Sequence, residues 1–596
     1  MHKFQLFLLV FLFSIILKAQ VSSSYTISFE NAVHHEANIQ ATFSDLKSNT
    51  IEFRMARSSP GRYAIHEFAK NVYNVKVTDS KGNILKTTRP NPYAWQVSGH
   101  DGTIQVSYTL FANHGDGTYA QVDETHAHLN MPATFMYVPE LSNKDMEITF
   151  NVRDHLNWKV ATQLKHLEGN TYYAENLQYF MNSPTEIANY RTRSFQVDNQ
   201  TVKLVLHDDV ASEKDLDTYF NHIKKVVLQQ KAIFGELPTY DYGEYTFLAC
   251  YMPNANGDGM EHRNSTYVVS TRSLANGGID GNIGTVSHEF FHCWNVERIR
   301  PLALEPFNFE EANMSGELWF AEGFTSYYDD LTLCRAGIIS QPNYITGLTS
   351  TFNYVWNSPG RDYFNPIEMS YQAPFVDAAK SVDETNRENT FISYYSYGSM
   401  LGLALDLSLR DKGLNLDDYM KLVWQTYGKT KTYYTIENLN ETLNTYAGKD
   451  FGNHFFNNYI YKSEMPDFKH LFETVGVVLS TDPSKVDFGV SVRHGKLISN
   501  PSVNSSAYNA GLQKEDKLIK IGTTEIKEDT DLNTLLDSYK VNDKVLVVFE
   551  RFGETKTTSL TLQADTSYTI SLMEADKTPL VKNLKTNREN WLQTKK

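Results

Sequence analysis

The sequence predicts a multidomain α+β protein, and three observations carry that reading. Its 596 residues amount to several domains at about 150 residues each. Short alternating segments broken by turns fill the N-terminal third, whereas apolar residues at helical spacing dominate the middle. Strand-like runs around one short helix return near the C-terminus. With 41% hydrophobic and 21% charged residues, global disorder is excluded. The formal charge is −15 and there is no long basic run, which argues against nucleic-acid binding through a cationic surface.

Residues 1–19 read as a signal peptide. Lys3 precedes the apolar run Phe4 to Leu17, which is too short to span a bilayer comfortably, and cleavage is expected near Ala19. No later apolar stretch is long enough for stable membrane insertion. The expectation is therefore an exported chain, periplasmic or secreted. Residues 20–200 form the β domain: Tyr25–Phe29, Ile51–Met55, Val72–Val77, Thr103–Tyr108 and Met146–Val152 alternate, with turns at Ser80-Lys-Gly-Asn and His114-Gly-Asp-Gly. A sandwich-like arrangement is expected.

The central block, 201–474, divides into a mixed part (201–345) and a helical part (346–474). Leu216–Phe234 is helical by spacing, and Tyr245–Tyr251 and Ser265–Ser270 read as strands. Helices are expected over Gly281–Arg300, Gly316–Arg335, Tyr397–Arg410 and Leu416–Tyr427. Residues 475–564 suggest a small partly open barrel, with strands at Val490–Val492, Lys517–Ile521 and Lys544–Phe549 and a helix at Asp531–Ser538. A charged tail, 565–596, contains the strand-like Tyr568–Leu572. Cys250, Cys293 and Cys334 allow at most one disulfide, and three free thiols fit equally well.

The chemistry concentrates in His288-Glu289-Phe290-Phe291-His292. On a helix, residues four apart share a face, so two imidazoles can take adjacent corners of a tetrahedral zinc site. Glu289 lies near enough to act as general base on a water. The competing explanation is a helix that merely carries two histidines. Asn282 or Thr285 can cap this helix, and Pro301 lies beyond its end. For a third ligand, Glu311 has a suitable spacing but sits in a loop-like stretch beside Glu310. Glu322 sits in a helix that Ser315 can cap, where packing holds a ligand in place, and is preferred.

Two further motifs support the site. Gly259-Met260-Glu261-His262 precedes the strand Ser265–Ser270, and Glu261 could bind a peptide's α-ammonium, with Gly259 and Met260 beside it. Taken alone, Glu261 reads first as an ordinary solvated carboxylate, and its weight comes from lying upstream of the His288 helix. In Ser393-Tyr394-Tyr395-Ser396-Tyr397-Gly398, a hydroxyl could donate to an oxyanion. Tyr395 is the first choice and Tyr394 its rival, although tyrosine clusters are by default packing. His126-Ala-His128 and His34-His35 are paired imidazoles, but no Cys or carboxylate constellation at metal spacing accompanies either, and both are set aside. Cys293 points away from the His288/His292 face.

Together these residues resemble the glycyl aminopeptidase family, the sixty-first metallopeptidase family, a gluzincin group related to the aminopeptidase N-like enzymes. The similarity includes Ala56-Arg-Ser-Ser-Pro-Gly-Arg-Tyr-Ala-Ile-His-Glu-Phe-Ala-Lys-Asn-Val, His288 to Pro301 and Leu318 to Tyr328. It implies a thermolysin-like gluzincin catalytic domain with a helical C-terminal part. It also implies zinc on His288, His292 and Glu322, and Glu289 as base. Comparison with the aminopeptidase N-like G-A-M-E-N motif implies Glu261 as amine anchor. Comparison with Y-x-K-G implies Tyr395 as oxyanion donor, with Tyr397 where the lysine would stand.

Ser505-Ser-Ala-Tyr-Asn-Ala-Gly-Leu-Gln-Lys-Glu-Asp-Lys-Leu-Ile-Lys-Ile-Gly resembles a bacterial, permuted PDZ-like domain. In it Phe488 and Gly489 would belong to a loop that receives a peptide C-terminus, or the domain would pack and bind nothing. The expectation is an exported zinc aminopeptidase acting on peptides with a free N-terminus, favouring Gly or Ala first. The rivals are a zinc endopeptidase on the same site and a non-catalytic peptide-binding protein.

Overall fold

The computed structural model describes residues 21–377, 383–575 and 579–595. The expected signal peptide and its cleavage point lie outside them. Among the described residues, no helix is long and apolar enough to cross a membrane.

The N-terminal region is built from three sheets. In the largest, Ser23–Ser28 lies between Met146–Asn151, its parallel neighbour, and antiparallel Glu36–Phe43, which continues to Ile104–Phe111 and Val72–Thr78. Alternation along Ser23–Ser28 sends Tyr25 and Ile27 inward. There they meet Phe43, Phe135 and Phe180 in one aromatic-rich core. A four-stranded sheet, with Lys159–Thr162, Thr185–Ala188, His126–Leu129 and Gln121–Val122 in that order, faces the next domain.

The central sheet has five strands: Arg191–Val197, Gln200–His207, Glu244–Tyr251, Ser265–Ser270 and Asp258–His262. Its three inner strands run parallel and its two edges antiparallel. Arg191–Val197 joins Gln200–His207 through Asp198 and Asn199, whose positive φ values of 49° and 63° make a tight hairpin. Residues 191–197 therefore belong to this sheet rather than to the β domain that precedes it. The long helix Glu213–Phe234 opens with a Ser212/Asp215 capping box and buries Tyr219, Ile223, Val226 and Val227.

Three of the expected helices in the central block depart most in extent. The one carrying His288 spans Ile283–Phe291 rather than Gly281–Arg300. It stops because His292 Nδ1 donates to the carbonyl of Asn295, 2.5 Å away, and the Asn295 amide turns to cap Phe320 and Ala321 carbonyls. Its expected side-chain cap is absent, since Asn282 donates to the Arg272 carbonyl instead. The Glu322 segment is two helices, Leu318–Ala321 and Gly323–Arg335, meeting at Glu322 in helical conformation. The third, Leu416–Val423, passes into a wider turn over Trp424–Gly428.

Tyr394–Asp411 packs directly on the Glu322 segment through two glycines. A Cβ at Gly398 would lie 1.8 Å from the Trp319 carbonyl oxygen, and one at Gly323 would lie 2.3 Å from Gly398 Cα. Only bare backbone on both sides lets the tyrosine helix approach the Glu322 segment this closely.

The C-terminal sheet unit has its own core around Phe488, Leu518, Val547 and Leu560. Lys517–Ile521 forms as expected, while the helix shortens to Leu532–Leu536 with Asp531 as its cap. The first expected strand reduces to Val492–Arg493, because Gly489 is left-handed and its carbonyl accepts from Ser502 N–H. The tail returns to the central block: Tyr568–Leu572 pairs with Val477–Thr481, and Trp591 on the helix Lys582–Leu592 donates to Tyr327 Oη at 2.9 Å.

Candidate active site

His288, Glu289 and His292 project from one face of the Ile283–Phe291 helix. Its other face buries Val286, Phe290 and Phe291, with Phe291 stacked on Tyr328 and Phe290 packed edge-on to Trp294. Packing of this kind fixes the rotation of the helix, and so where the imidazoles point. Glu322, on the facing segment, completes a triangle. His288 Nε2 lies 3.1 Å from His292 Nε2, and Glu322 Oε2 lies 3.2 Å from His292 Nε2 and 3.7 Å from His288 Nε2.

These residues fit a zinc ion. Ligands about 2.05 Å from a tetrahedral zinc stand about 3.3 Å apart, within the spread of the three separations. The supporting hydrogen bonds point the same way. His288 Nδ1 is held by Asp329 Oδ2 at 3.2 Å and His292 Nδ1 by the Asn295 carbonyl, which leaves the two Nε2 lone pairs facing each other and a carboxylate. Three converging acceptors need a cation between them. Glu322 Oε1, its other oxygen, accepts from the Tyr63 hydroxyl at 2.5 Å.

Glu289 and Glu261 flank the triangle, and each offers an oxygen within 4.8 Å of the other's and of His292. Glu289 Oε2 is buried without a hydrogen-bond partner among the described residues. Its carboxylate rests against Gly259, where a Cβ would lie 2.1 Å from Glu289 Oε1, so this strand position must stay bare. Among the described residues, no Lys or Arg pairs with Glu261, Glu289 or Glu322. Burial therefore pushes Glu261 up to about 8 and Glu289 up to about 7, with the nearby histidines working against the rise in both. Glu322 is held low: burial opposes it, but His292 and His288 more than compensate.

The other expected residues divide. Tyr395 is half-buried, with its ring centroid 5.9 Å from that of His288, and it lines a cavity of about 210 Å³ with Asp329, Asp330 and Ser326. Tyr394 is 1% exposed, wedged between Tyr395 and Tyr63. Tyr397 is core. Met260 departs from expectation. Strand alternation turns it away from Gly259 and Glu261 into a closed cluster with Tyr190, Val205 and Tyr267, leaving it no surface for substrate. Phe488 is core as well, packed with Leu518 and Val547.

Three residues of the site were not foreseen. Tyr63 comes from the β domain, on a segment that Arg62 ties down by pairing with Asp258 and donating to Thr118 Oγ1 at 2.6 Å. Asp329 is two helical turns beyond Glu322, a spacing that puts both on one face. Asn295 lies three residues past His292, where a helix ending on its ligand needs an acceptor.

The architecture and this triangle define a zinc metallopeptidase of the two-histidine, one-glutamate kind. The family models agree on which. Residues 24–189 match the Peptidase M61 N-terminal domain, 281–401 match M61 glycyl aminopeptidase, and 476–562 match a PDZ domain. These matches give the chain the M61 N-terminal and catalytic segments and a C-terminal PDZ domain. Over 96% of its length it superimposes on an aminopeptidase N family protein from Idiomarina loihiensis, covering all of that chain at 25% identity with a TM-score of 0.84.

Curated relatives match a shorter piece. The Do-like serine protease HtrA of Lactococcus lactis is 34% identical over 90 residues, 15% of this chain and 22% of that one. Provisionally named zinc metalloproteases of Staphylococcus aureus are 35% identical over 96 residues, again 22% of their length. The chain thus spans about a fifth of these curated relatives.

Proposed function

We propose that this chain is an exported, zinc-dependent aminopeptidase that removes the first residue of peptides with a free N-terminus. The observation that carries it is the grouping of two buried carboxylates that lack any Lys or Arg partner among the described residues, Glu261 and Glu289, beside the His288/His292/Glu322 donors. When its carboxylates ionise, such a group requires cations beside it. A metal satisfies the donor triangle, and a substrate ammonium is the natural counter-charge for Glu261, which sits on the strand edging the cleft.

His288, His292 and Glu322 would hold zinc, which when bound supplies a Lewis acid that polarises the scissile carbonyl and acidifies water. Glu261 receives the α-ammonium and thereby sets which peptide bond lies over the site. Glu289 takes the proton of the attacking water on its unpartnered Oε2 and passes it to the leaving amine. Its raised affinity for protons suits a group that must both accept and donate near neutrality. Tyr395 stays protonated, because burial and the nearby Glu322 raise its hydroxyl well above the usual tyrosine range, and it donates to the developing oxyanion.

A preference for Gly or Ala at the first position draws support from the matched glycyl aminopeptidase model. Export draws on the apolar run Phe4 to Leu17. Strand addition of a peptide beside Val492–Arg493, at an edge of the PDZ sheet, is a further part of the reading.

The test is hydrolysis of glycyl- and alanyl-p-nitroanilide by the wild type and by Glu289→Gln with equal metal content. Turnover should fall by about 10²–10⁴-fold in the variant. Equal rates would remove Glu289 from the chemistry.

A further inference from the structure

Outside the triangle, at the junction of the β domain and the central sheet, four residues from four strands meet. They are His126 on His126–Leu129, Glu186 on Thr185–Ala188, His207 at the end of Gln200–His207 and Cys250 on Glu244–Tyr251. All are at least nine-tenths buried, at 0%, 0%, 4% and 2% exposure. Each offers one ligand atom, and the four atoms lie within 4.8 Å of one another.

The separations are those of metal ligands. Glu186 Oε1 lies 3.3 Å from His207 Nδ1, and Cys250 Sγ lies 3.8 Å from the same nitrogen. A tetrahedral zinc with nitrogen or oxygen ligands at about 2.05 Å and sulfur at about 2.3 Å sets these edges near ~3.3 and ~3.6 Å. The surroundings orient the donors from behind. His126 Nδ1 sits 3.2 Å from Asp123 Oδ1, which leaves Nε2 buried with no hydrogen-bond partner among the described residues. Glu186 Oε2 is held at 3.0 Å by His128 Nδ1, whose other nitrogen is 2.8 Å from the Asp116 carbonyl. His128 is thus spent on support and is not a fifth ligand. An orphaned imidazole nitrogen in a buried, mixed N/O/S pocket is what a bound transition metal would resolve.

From this geometry we infer a second metal site, a closed zinc site on His126, Glu186, His207 and Cys250. Thiolate, imidazole and carboxylate together favour zinc over magnesium or calcium, and four protein ligands with no open position mark a structural role. Glu186 and His126 come from one sheet and His207 and Cys250 from the other. The ion would clasp the β domain, which supplies Tyr63, onto the sheet that supplies Glu261. A cavity of about 460 Å³ lined by His207, Asp208, Asp209 and Met252 gives an entry path.

The test uses the full chain loaded with zinc, and then with cobalt in place of zinc. The prediction is about two zinc ions per chain. Cys250→Ser and His126→Gln should each fall to about one, while Glu289→Gln keeps both. The His288/His292/Glu322 site has no sulfur, so a thiolate-to-cobalt charge-transfer band in the near ultraviolet reports the second site alone. It should be present in the wild type and lost in Cys250→Ser. One equivalent in the fully loaded wild type with no such band would overturn the inference, as would a band that survives Cys250→Ser.

Discussion

Replacing Tyr63 by Phe removes a single oxygen, the one that hydrogen-bonds Glu322 Oε1 at 2.5 Å from a residue only 3% exposed. Burial and the neighbouring Glu322 and Glu261 keep that hydroxyl protonated, so it is a permanent donor. Without it, one oxygen of a buried ligand carboxylate loses its partner and Glu322 is free to rotate. A hydrogen bond to a charged group is worth about 1.5–3 kcal/mol, or about 10–150-fold in an equilibrium constant. Loss of a group supporting a metal ligand typically costs about 10–100-fold in affinity. Zinc competition against a chromophoric chelator should therefore show a Kd raised by one to two orders of magnitude, with the metal-free melting temperature little changed. A Kd within about twofold of wild type, in a protein that melts normally, would refute the reasoning that the β domain holds the ligand in place.

Other outcomes follow from the packing and the buried histidines. Gly398→Ala would drive a methyl into the Trp319 carbonyl, costing about 1–3 kcal/mol or more and displacing Tyr395. Thermal melting should show the loss, with Gly402→Ala, whose Cβ would clear Tyr327 by 3.0 Å, as the milder control. His262 and His66 are held down, to about 3 and about 4, by burial first and then by the charge on Arg62. Their unfolded forms protonate near 6.5, so the unfolded chain binds more protons below that pH. Their contribution, full above pH 6.5, is lost by about 1.4 kcal/mol per pH unit per histidine as pH falls towards the folded values. Urea unfolding at pH 7 and pH 5 should show a smaller drop for His262→Gln than for wild type, and equal drops would contradict the assignment.

What the sequence made legible was local. His288, Glu289 and His292 sit within five residues on one helix, and helical periodicity alone orients them. Glu322 followed from its place on a packed segment, and Ser265–Ser270, Lys517–Ile521 and Tyr568–Leu572 formed where their alternation put them. What stayed hidden depends on pairing across the chain. Tyr63 meets Glu322 across 259 positions, a contact that no spacing rule reaches. His126 and His128 were set aside for want of a carboxylate and a thiol. The register of two separate sheets then brings Glu186, His207 and Cys250 to them. Met260 shows the opposite error, since its motif neighbours face the cleft and the strand's two-residue period turns it away. The early end of the His288 helix likewise depends on Asn295 serving both His292 and the Glu322 segment.

The most direct test of the central claim is whether a free amine is required at the first residue. The measurement is kcat/KM for glycyl-p-nitroanilide and its N-acetyl derivative, with wild type and Glu261→Gln. The account predicts that the wild type turns over only the free amine. It also predicts that Glu261→Gln loses at least about 30-fold in kcat/KM on that substrate, as expected when one partner of a buried charge pair is removed. Comparable turnover of the acetylated substrate by the wild type, or an unimpaired Glu261→Gln, would contradict it.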